Sequence, residues 1–351
     1  MSTSYQNRAA WLKEKGARLE VGDAPVGSPD EGQVLIKVHA VGIEPVDWKV
    51  QDSGYFVKAF PFLLGDSLAG EVVEVGSEVK NVKKGDRVLG HSIALATQKS
   101  EHAAFQNYAL LPALAVSPIP SSLSFEQGSV LPLALSTAAD GLYRPKYLEL
   151  PLPKPDAPNP EGKGKVLLVY GASSSVGSAA VQLAVASGLR VVATASPANF
   201  DFVKSLGASA VFDYKSSSVV ADLVAEIEKD GEEFAGVYDA ISEHGSVEIG
   251  AEVASKVKGG KKFIATTLPP PEKLPEGVKA AGVFAIAIVT QENGAVARAV
   301  YHDYVPAALA NGSLQAKPDP LVAGKGLEEV QKGLDRQKQG VSAQKVVVTI
   351  A

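Results

Sequence analysis

The hydrophobic pattern of the chain changes most sharply within residues 165–195. Val166–Tyr170 is a short apolar run, typical of a strand buried on both faces. A turn of small residues follows at 171–177, and apolar positions then recur at helical spacing as far as Gly188. Arg190–Ala195 is a second apolar strand. The order strand, turn, helix, strand predicts a βαβ unit that opens a doubly wound nucleotide-binding domain.

Beyond this unit, short apolar runs alternate with amphipathic stretches. The alternation predicts a parallel sheet with helices on both faces. The predicted strands are Val211–Tyr214, Gly236–Ile241, Gly260–Thr266 and Val283–Val289. The predicted helices are Phe200–Leu206, Val219–Lys229, Val247–Val257 and Gln291–Ala310.

The N-terminal part has a different pattern, in which Gly and Pro separate many short strands. This pattern predicts a compact β-rich domain over roughly residues 1–120. The predicted strands are Ala9–Leu12, Leu19–Val21, Gln33–Val41, 63–76, 85–90 and Glu101–Leu110. A helical stretch follows at Ser124–Leu142, then a proline-rich loop at Leu150–Lys165. Near the end, a helix around Gly326–Gln337 leads to a strand at Lys345–Ile350.

The composition is that of an ordinary globular protein of 351 residues, 46% hydrophobic and 21% charged, with a net charge of −5. A pI near 5.7 gives no basic surplus for binding nucleic acid or an anionic membrane. The lack of cysteine excludes disulfides, thiolate zinc sites and cysteine nucleophiles. Because the apolar runs are too short to span a bilayer and the N-terminus has no apolar signal core, we expect a cytoplasmic protein.

The turn at 171–177 has the composition of a phosphate-binding turn. Small side chains allow a pyrophosphate to approach the backbone and to face the N-terminus of the following helix. The small residues are Gly171, Ala172, Ser173, Ser174 and Gly177. The alternative is a strand-to-helix turn that binds no ligand.

The end of the second strand indicates which dinucleotide would bind. An NAD site usually carries an acidic residue about 20 residues past the first glycine. Residues 194–199 contain no carboxylate, which favours NADPH because a 2'-phosphate would be repelled by one. The arginine expected for a 2'-phosphate is missing too. The candidates to replace it are Ser196, Asn199, Lys204, Tyr214 and Lys215. Tyr214 is equally well explained as an ordinary residue at the end of a strand.

Several motifs, taken in order, resemble the medium-chain dehydrogenase/reductase superfamily in its zinc-free quinone reductase and enoyl reductase branch. They are GIEPVDWK, LLGDSLAGEVVEVG, KKGDRV, LSFEQGSVLPLALSTA, VYGASSSVG, SPANFDFVKSLGA, VFDY and KVVVTI. The chain is most similar to fungal reductases that include trans-acting polyketide enoyl reductases. The resemblance implies an α/β protein with a GroES-like catalytic domain at 1–130 and 304–351, and an NADP(H)-binding Rossmann domain at 131–303.

The resemblance also implies a set of cofactor contacts. The residues implied to line the pyrophosphate are Ser173, Ser174, Ser175 and Val176. Those implied to hold the 2'-phosphate are Ser196, Pro197, Ala198, Asn199 and Tyr214. Those implied near the nicotinamide are Pro45, Val46, Asp47, Trp48 and Thr137.

The chain departs from the zinc alcohol dehydrogenases of this superfamily at the metal site. Glu44 stands where those enzymes have a cysteine, and Asp66 stands where they have a histidine. The third ligand falls near Leu133, and the structural zinc lobe with its four cysteines is absent. Because two carboxylates without thiolate or imidazole make a poor zinc site, we expect no catalytic metal.

Without a metal, reduction of an activated C=C bond needs a hydrogen-bond donor for the enolate oxygen and a proton for the α carbon. Lys49, which ends the GIEPVDWK motif, is the first candidate for this work. The alternative is a lysine that pairs with Asp47 or Asp66 and only holds the loop. Tyr143 is a second candidate donor, with Tyr55.

These observations favour an NADPH-dependent, metal-free reductase of α,β-unsaturated carbonyl compounds. A quinone oxidoreductase and a non-catalytic NADPH-binding protein are the alternatives. The substrate would be a small enone or an acyl thioester, the latter free or carried by an acyl-carrier protein. Monomer and homodimer both remain open, and neither nucleic acid nor membrane is an expected partner.

Overall fold

The computed structural model describes residues 5–290 and 294–351. The chain forms two compact units, one running up to Leu133 and resuming at Asp319–Ala351, the other comprising Ala134–Pro318. The structure therefore places residues 304–318 in the second unit, whereas the sequence-based division assigned them to the catalytic domain. The reason is physical: Gln315 exchanges hydrogen bonds with Gln182, which lies inside the second unit.

The first unit is built on two sheets. Its strands are β1 Asn7–Leu12, β2 Glu20–Ala24, β3 Gln33–Gly42, β4 Phe62–Leu63, β5 Ser67–Val75, β6 Arg87–His91, β7 Tyr108–Pro112, β8 Val116–Pro118, β15 Asp319–Lys325 and β16 Gln344–Thr349. The three-stranded sheet has the order β2-β1-β4. The seven-stranded sheet has the order β15-β16-β3-β5-β6-β8, with β7 paired to β3. The predicted β-rich domain, its returning C-terminal strand included, is confirmed.

Within the residues that the structure describes, the first unit has four α-helices. They are α1 Pro45–Ser53, α2 Ala94–Thr97, α3 Phe125–Gly128 and α12 Val330–Lys338. The C-terminal segment contributes to the apolar core, because Val330, Val346 and Val348 are buried in the same cluster as residues of β1 and β3. Burial of this apolar surface joins the two ends of the chain into one folding unit.

The second unit contains one six-stranded sheet in the order β11-β10-β9-β12-β13-β14. Its strands are β9 Lys165–Tyr170, β10 Arg190–Ala195, β11 Ala210–Asp213, β12 Glu233–Asp239, β13 Phe263–Thr266 and β14 Lys279–Gly282. All five pairings are parallel. This is the strand order of a Rossmann fold, so the predicted doubly wound domain is confirmed.

The helices of the second unit precede, connect and follow these strands. They are α4 Pro132–Tyr143, which begins at the boundary, α5 Ser175–Ala186, α6 Phe200–Ser205, α7 Val219–Glu228, α8 Ser246–Lys256, α9 Ala287–Thr290, α10 Gly294–Ala297, a π-helix Arg298–Tyr304 and α11 Val305–Asn311. None of the helices in residues 5–290 and 294–351 has the length and apolar character needed to cross a bilayer.

Two predicted strands differ from the structure. Of the strand predicted at Glu101–Leu110, only the part from Tyr108 onward lies in β7, and Ser100–His102 forms a 3-10 helix. The strand predicted at Val283–Val289 is wrong: the last strand of the six-stranded sheet is β14, and Ala287–Thr290 is helical. A short apolar run does not distinguish strand from helix, and the Phe284 N–H is bonded at 2.9 Å to the Asp140 carboxylate instead of to a strand. The helix predicted at 291–310 is confirmed from Gly294 onward, and residues 291–293 lie outside the described part.

Candidate active site

The N-terminus of α1 is capped by the carboxylate of a residue in the same helix. Asp47, in the first turn, accepts the Glu44 N–H at 2.7 Å and the Gly65 N–H at 3.2 Å. Asp47 is 1% exposed, so this carboxylate serves the backbone at the helix N-terminus. Because the Asp47 carboxylate faces inward, the predicted contact of Asp47 with a cofactor would be made by its backbone.

A buried ion pair lies directly behind this N-terminus. The Lys345 ammonium on β16 contacts the Glu44 carboxylate, and both side chains are 4% exposed. The Ser67 hydroxyl donates to the other Glu44 oxygen at 2.7 Å and accepts the Leu133 N–H at 3.0 Å. Glu44 is thus held on one side by a charge and on the other by a neutral hydrogen bond.

Asp66 completes the cluster. It is buried, and burial together with the negative charge of Glu44 raises the pKa of the Asp66 carboxyl to about 7. Burial and the neighbouring Asp66 charge raise the pKa of Asp47 well above its usual range. Three buried carboxyl groups share one buried ammonium, so the cluster retains a proton more readily than exposed carboxylates do.

The cluster does not suit a zinc ion. Its donors are carboxylates, and the Lys345 ammonium already lies against Glu44. Across residues 5–290 and 294–351, no group of three or more His, Cys, Asp or Glu side chains is arranged to hold a metal. The site residues therefore do not fit the metal that zinc-dependent members of the fold use.

The rest of α1 presents the predicted catalytic residue. Lys49 is half-buried, and its ammonium lies 5.6 Å from the centre of the Trp48 ring. Trp48 in turn donates its indole N–H to Gln337 on α12. Pro45 is exposed and Val46 half-buried. The structure thus gathers Pro45–Lys49 on one short helix of the first unit.

The predicted pyrophosphate turn joins β9 to α5. The Ser174 hydroxyl caps the helix by accepting the Gly177 N–H at 3.0 Å, and the first turn carries no acidic residue. Gly177 is required by close packing, because a Cβ there would lie 2.3 Å from the Gly171 carbonyl oxygen. With Ser173–Val176 half-buried and backbone N–H groups at the N-terminus of α5, the turn fits a pyrophosphate.

The residues predicted for the 2'-phosphate follow β10 and β11, two neighbouring strands of the parallel sheet. Ser196 accepts a 3.0 Å hydrogen bond from the Asn199 amide, and Pro197 and Ala198 between them are exposed. Tyr214 is half-buried, with the Lys215 ammonium 5.7 Å from its ring centre. A hydroxyl, an amide and a cation at the ends of adjacent strands suit an anionic group.

Two further predicted residues lie on α4. Thr137 is 8% exposed, and its carbonyl accepts the Tyr238 hydroxyl at 2.7 Å. The Tyr143 hydroxyl is buried and bonded to the Leu183 carbonyl at 3.2 Å and to Ser187 at 3.0 Å. Burial also raises the pKa of Tyr143 well above its usual range. This geometry favours a packing role for Tyr143, which leaves Lys49 as the candidate proton or hydrogen-bond donor.

Sequence reasoning missed residues that shape both sites. Lys345 and Ser67 complete the buried cluster, and neither lies near Glu44 in the sequence. Asp239, at the carboxyl end of β12, accepts the N–H groups of Ile241 and Ser242 and the hydroxyl of Ser246. An acidic residue at the end of a buried strand is a sequence signal that could have identified Asp239. No such signal indicates the pairing of Lys345 with Glu44.

Comparison with known proteins agrees with this architecture. Residues 30–121 match the alcohol dehydrogenase GroES-like domain, and residues 175–271 match the zinc-binding dehydrogenase family. The trans-enoyl reductase himH of Aspergillus japonicus is 44% identical over 99% of this chain and 98% of its own length. The dehydrogenase orsE of Emericella nidulans is 40% identical over 98% of this chain and 99% of its own.

Solved structures give the same fold. An alcohol dehydrogenase superfamily protein from Novosphingobium aromaticivorans superposes with a TM-score of 0.79 at 25% identity, covering 98% of this chain and all of that one. The fold and the two sites define an oxidoreductase with a nicotinamide cofactor site. The chain belongs to the medium-chain dehydrogenase/reductase superfamily, in the branch that includes trans-enoyl reductases.

Proposed function

We propose that this protein is an NADPH-dependent reductase of α,β-unsaturated carbonyl compounds that works without a metal ion. The observation that carries the proposal is the buried Lys345–Glu44 pair at the position of a zinc ligand. A site whose carboxylate is already paired with an ammonium lacks the Lewis acid that alcohol oxidation would use. The similarity to relatives named trans-enoyl reductase supports the same reaction class.

Reduction of a conjugated C=C bond suits these residues. NADPH, when bound, supplies the hydride to the β carbon. The electron pair of the C=C bond then moves toward the carbonyl oxygen, and the enolate formed takes up a proton at its α carbon. A cation near that oxygen stabilises the developing charge. Lys49 is the residue proposed for this work, as hydrogen-bond donor to the oxygen or as proton donor.

The cofactor preference rests on the ends of β10 and β11. Ser196–Asn199 and Tyr214 are proposed to hold the 2'-phosphate, and Ser173–Val176 the pyrophosphate. The region after β10 offers hydroxyl and amide groups and no carboxylate, which supports NADPH over NADH. Pro45–Trp48 and Thr137 are proposed to lie near the nicotinamide.

The proposal is tested by cofactor oxidation with the purified protein. NADPH and NADH are each offered with enones, an enoyl thioester and quinones, with and without a chelator. We expect turnover with NADPH and a conjugated C=C bond, unchanged by the chelator. Turnover that the chelator abolishes would refute the metal-free mechanism, and turnover with quinones alone would replace it by a quinone oxidoreductase.

A matched pair of lysine variants tests the role of Lys49. Lys49 and Lys338 both place an ammonium near the Trp48 ring, at 5.6 and 5.5 Å from its centre. Lys49→Met should lower kcat by about 10²-fold, the usual size of a lost general-acid or oxyanion contribution. Lys338→Met, which breaks an exposed pair with Asp52, should leave kcat within about twofold. Equal effects of the two variants would assign Lys49 to packing.

A further inference from the structure

The C-terminal strand contributes a charge to the helix that carries the proposed catalytic lysine. Lys345 lies on β16, and its partner Glu44 is 301 residues earlier, at the position that precedes α1. We propose that Lys345 is a positioning residue: its buried ammonium holds Glu44 and thereby fixes the N-terminus of α1, which presents Trp48 and Lys49. The inference rests on the proposed function where it concerns turnover, and on geometry alone where it concerns the helix.

The chain makes room for this lysine. β16 pairs antiparallel with β3, and the Ile43 N–H continues the pairing by donating to the Val346 carbonyl at 2.9 Å. Gly42 ends β3, and a Cβ there would lie 3.3 Å from Lys345 Cε and 2.4 Å from the Ser129 carbonyl oxygen. The missing side chain lets the lysine stem pass the end of β3 and deliver its ammonium to Glu44.

The same C-terminal segment also holds the outer side of α1. On α12, Gln331 accepts a 2.7 Å hydrogen bond from the Gln51 amide, and Gln337 accepts the Trp48 indole N–H. These contacts are neutral. The Lys345 ammonium is buried and charged, so its removal has the larger consequence: Glu44 would remain buried without a counter-charge, close to Asp66 and Asp47. The repulsion would be relieved by moving the start of α1.

Trp48 itself reports this movement. The chain has two tryptophans, Trp11 and Trp48, so Trp11→Phe leaves Trp48 as the single emitter. In that background we would compare Lys345→Met, the neutral double variant Glu44→Gln/Lys345→Met and Lys332→Met. Lys332 lies on α12 in an exposed pair with Glu329, so its variant controls for loss of a lysine charge.

We expect Lys345→Met to shift Trp48 emission and to lower kcat by about 10²-fold, as a displacement near 1 Å does. The KM for NADPH should change less than kcat, because the residues proposed to hold the phosphates of NADPH lie outside α1 and the buried cluster. The double variant should recover Trp48 emission and part of kcat, because Glu44, the carboxylate that Lys345 neutralises, is then uncharged as well. The control should match the parent in both measurements.

The outcomes are distinguishable. Parental emission and kcat in Lys345→Met would overturn the inference, and so would an equal loss in the single and double variants. If Lys345→Met fails to fold, recovery of folding with parental Trp48 emission in the double variant supports the inference, and failure of both overturns it. If the parent reduces none of the acceptors, the proposed function fails, and Trp48 emission alone decides the role of Lys345.

Discussion

The two helices that begin at the candidate sites, α1 and α5, solve the same problem in opposite ways. Each leaves backbone N–H groups unpaired at its N-terminus. In α1 the first turn contains Asp47, and its buried carboxyl group accepts the Glu44 N–H from within the chain. In α5 the first turn holds no acidic residue, and Ser174 satisfies the Gly177 N–H alone. The N-terminus of α1 is therefore occupied by a carboxyl group of the chain itself, whereas the N-terminus of α5 suits an anionic ligand.

The charges around the two helices follow the same division. Glu44, directly before α1, is neutralised by Lys345, a cation from the same chain. Residues 171–177, which lead into α5, carry no charged side chain, so we propose that the anion that complements this terminus comes from a ligand. We propose that the terminus of α1 fixes side chains in place and that the terminus of α5 binds the cofactor.

The largest expected effect comes from adding a methyl group in the first turn of α5. In Gly177→Ala the new Cβ would lie 2.3 Å from the Gly171 carbonyl oxygen, so the turn must move. We expect NADPH affinity to fall by about 100-fold, or about 2.7 kcal/mol, in isothermal titration calorimetry.

Gly250→Ala on α8 is the control, since its Cβ would meet Val237 at 3.3 Å and no backbone atom within 4 Å. Its affinity for NADPH should be that of the parent. Unchanged binding in Gly177→Ala would show that the turn tolerates displacement and would weaken the pyrophosphate assignment.

The buried carboxyl cluster at the N-terminus of α1 should affect the pH dependence of stability. The pKa of Asp66 is raised from 3.8 to about 7 in the folded state. Between these values the native protein holds a proton that the unfolded chain has lost, so the contribution of Asp66 to stability falls as pH rises through this window and stays lost above it. Asp66→Asn should therefore be more favourable at pH 8 than at pH 5, by on the order of 2 kcal/mol.

Urea denaturation of both proteins at the two pH values measures this difference. Asp52→Asn, at an exposed carboxylate of the same unit, is the control for removing a charge. An equal response of Asp66→Asn at both pH values would show that Asp66 is not a proton-holding member of the cluster.

Much of the fold was predictable because it depends on local pattern. The apolar run of β9, the small-residue turn and the helical repeat of α5 are contiguous in sequence, so their order and parallel pairing follow from spacing. The strand predicted at Val283–Val289 failed because a short buried run has no distinguishing period. In the structure the second unit extends to Pro318, beyond the contact between Gln315 and Gln182, a long-range pairing that local pattern does not indicate.

The candidate sites divide along the same line. The turn at 171–177, proposed to bind the pyrophosphate, is a local motif, and its position between a strand and a helix was predicted from the sequence. The charge balance of the first site depends on Lys345, which the chain brings back to Glu44 only after the second unit is complete. Spacing in the sequence carries no information about such a pair, so the cluster was recognisable only as two unusual carboxylates at Glu44 and Asp66.

A smaller effect is expected at the adenosine end of the proposed cofactor site. Ser196→Asp introduces a carboxylate after β10, where its charge would oppose a 2'-phosphate. We expect NADPH affinity to fall about tenfold relative to NADH, a change of about 1.4 kcal/mol. Ser196→Asn has similar size without the charge and should alter the ratio little. A ratio unchanged in Ser196→Asp would place the 2'-phosphate elsewhere.

The smallest expected effect separates packing from chemistry at Tyr143. Its hydroxyl bonds to Leu183 and Ser187, at the C-terminal end of α5. At 1.5 Å per residue, Leu183 lies about 12 Å and Ser187 about 18 Å along the axis from the start of α5, where the turn proposed to bind the pyrophosphate ends. Tyr143→Phe should lower the free energy of unfolding by about 1 kcal/mol while leaving kcat within about twofold. Tyr301→Phe, which removes a buried hydroxyl bonded to Ser136 at 2.7 Å, should behave alike. A large loss of kcat at unchanged stability in Tyr143→Phe alone would restore Tyr143 as a proton donor.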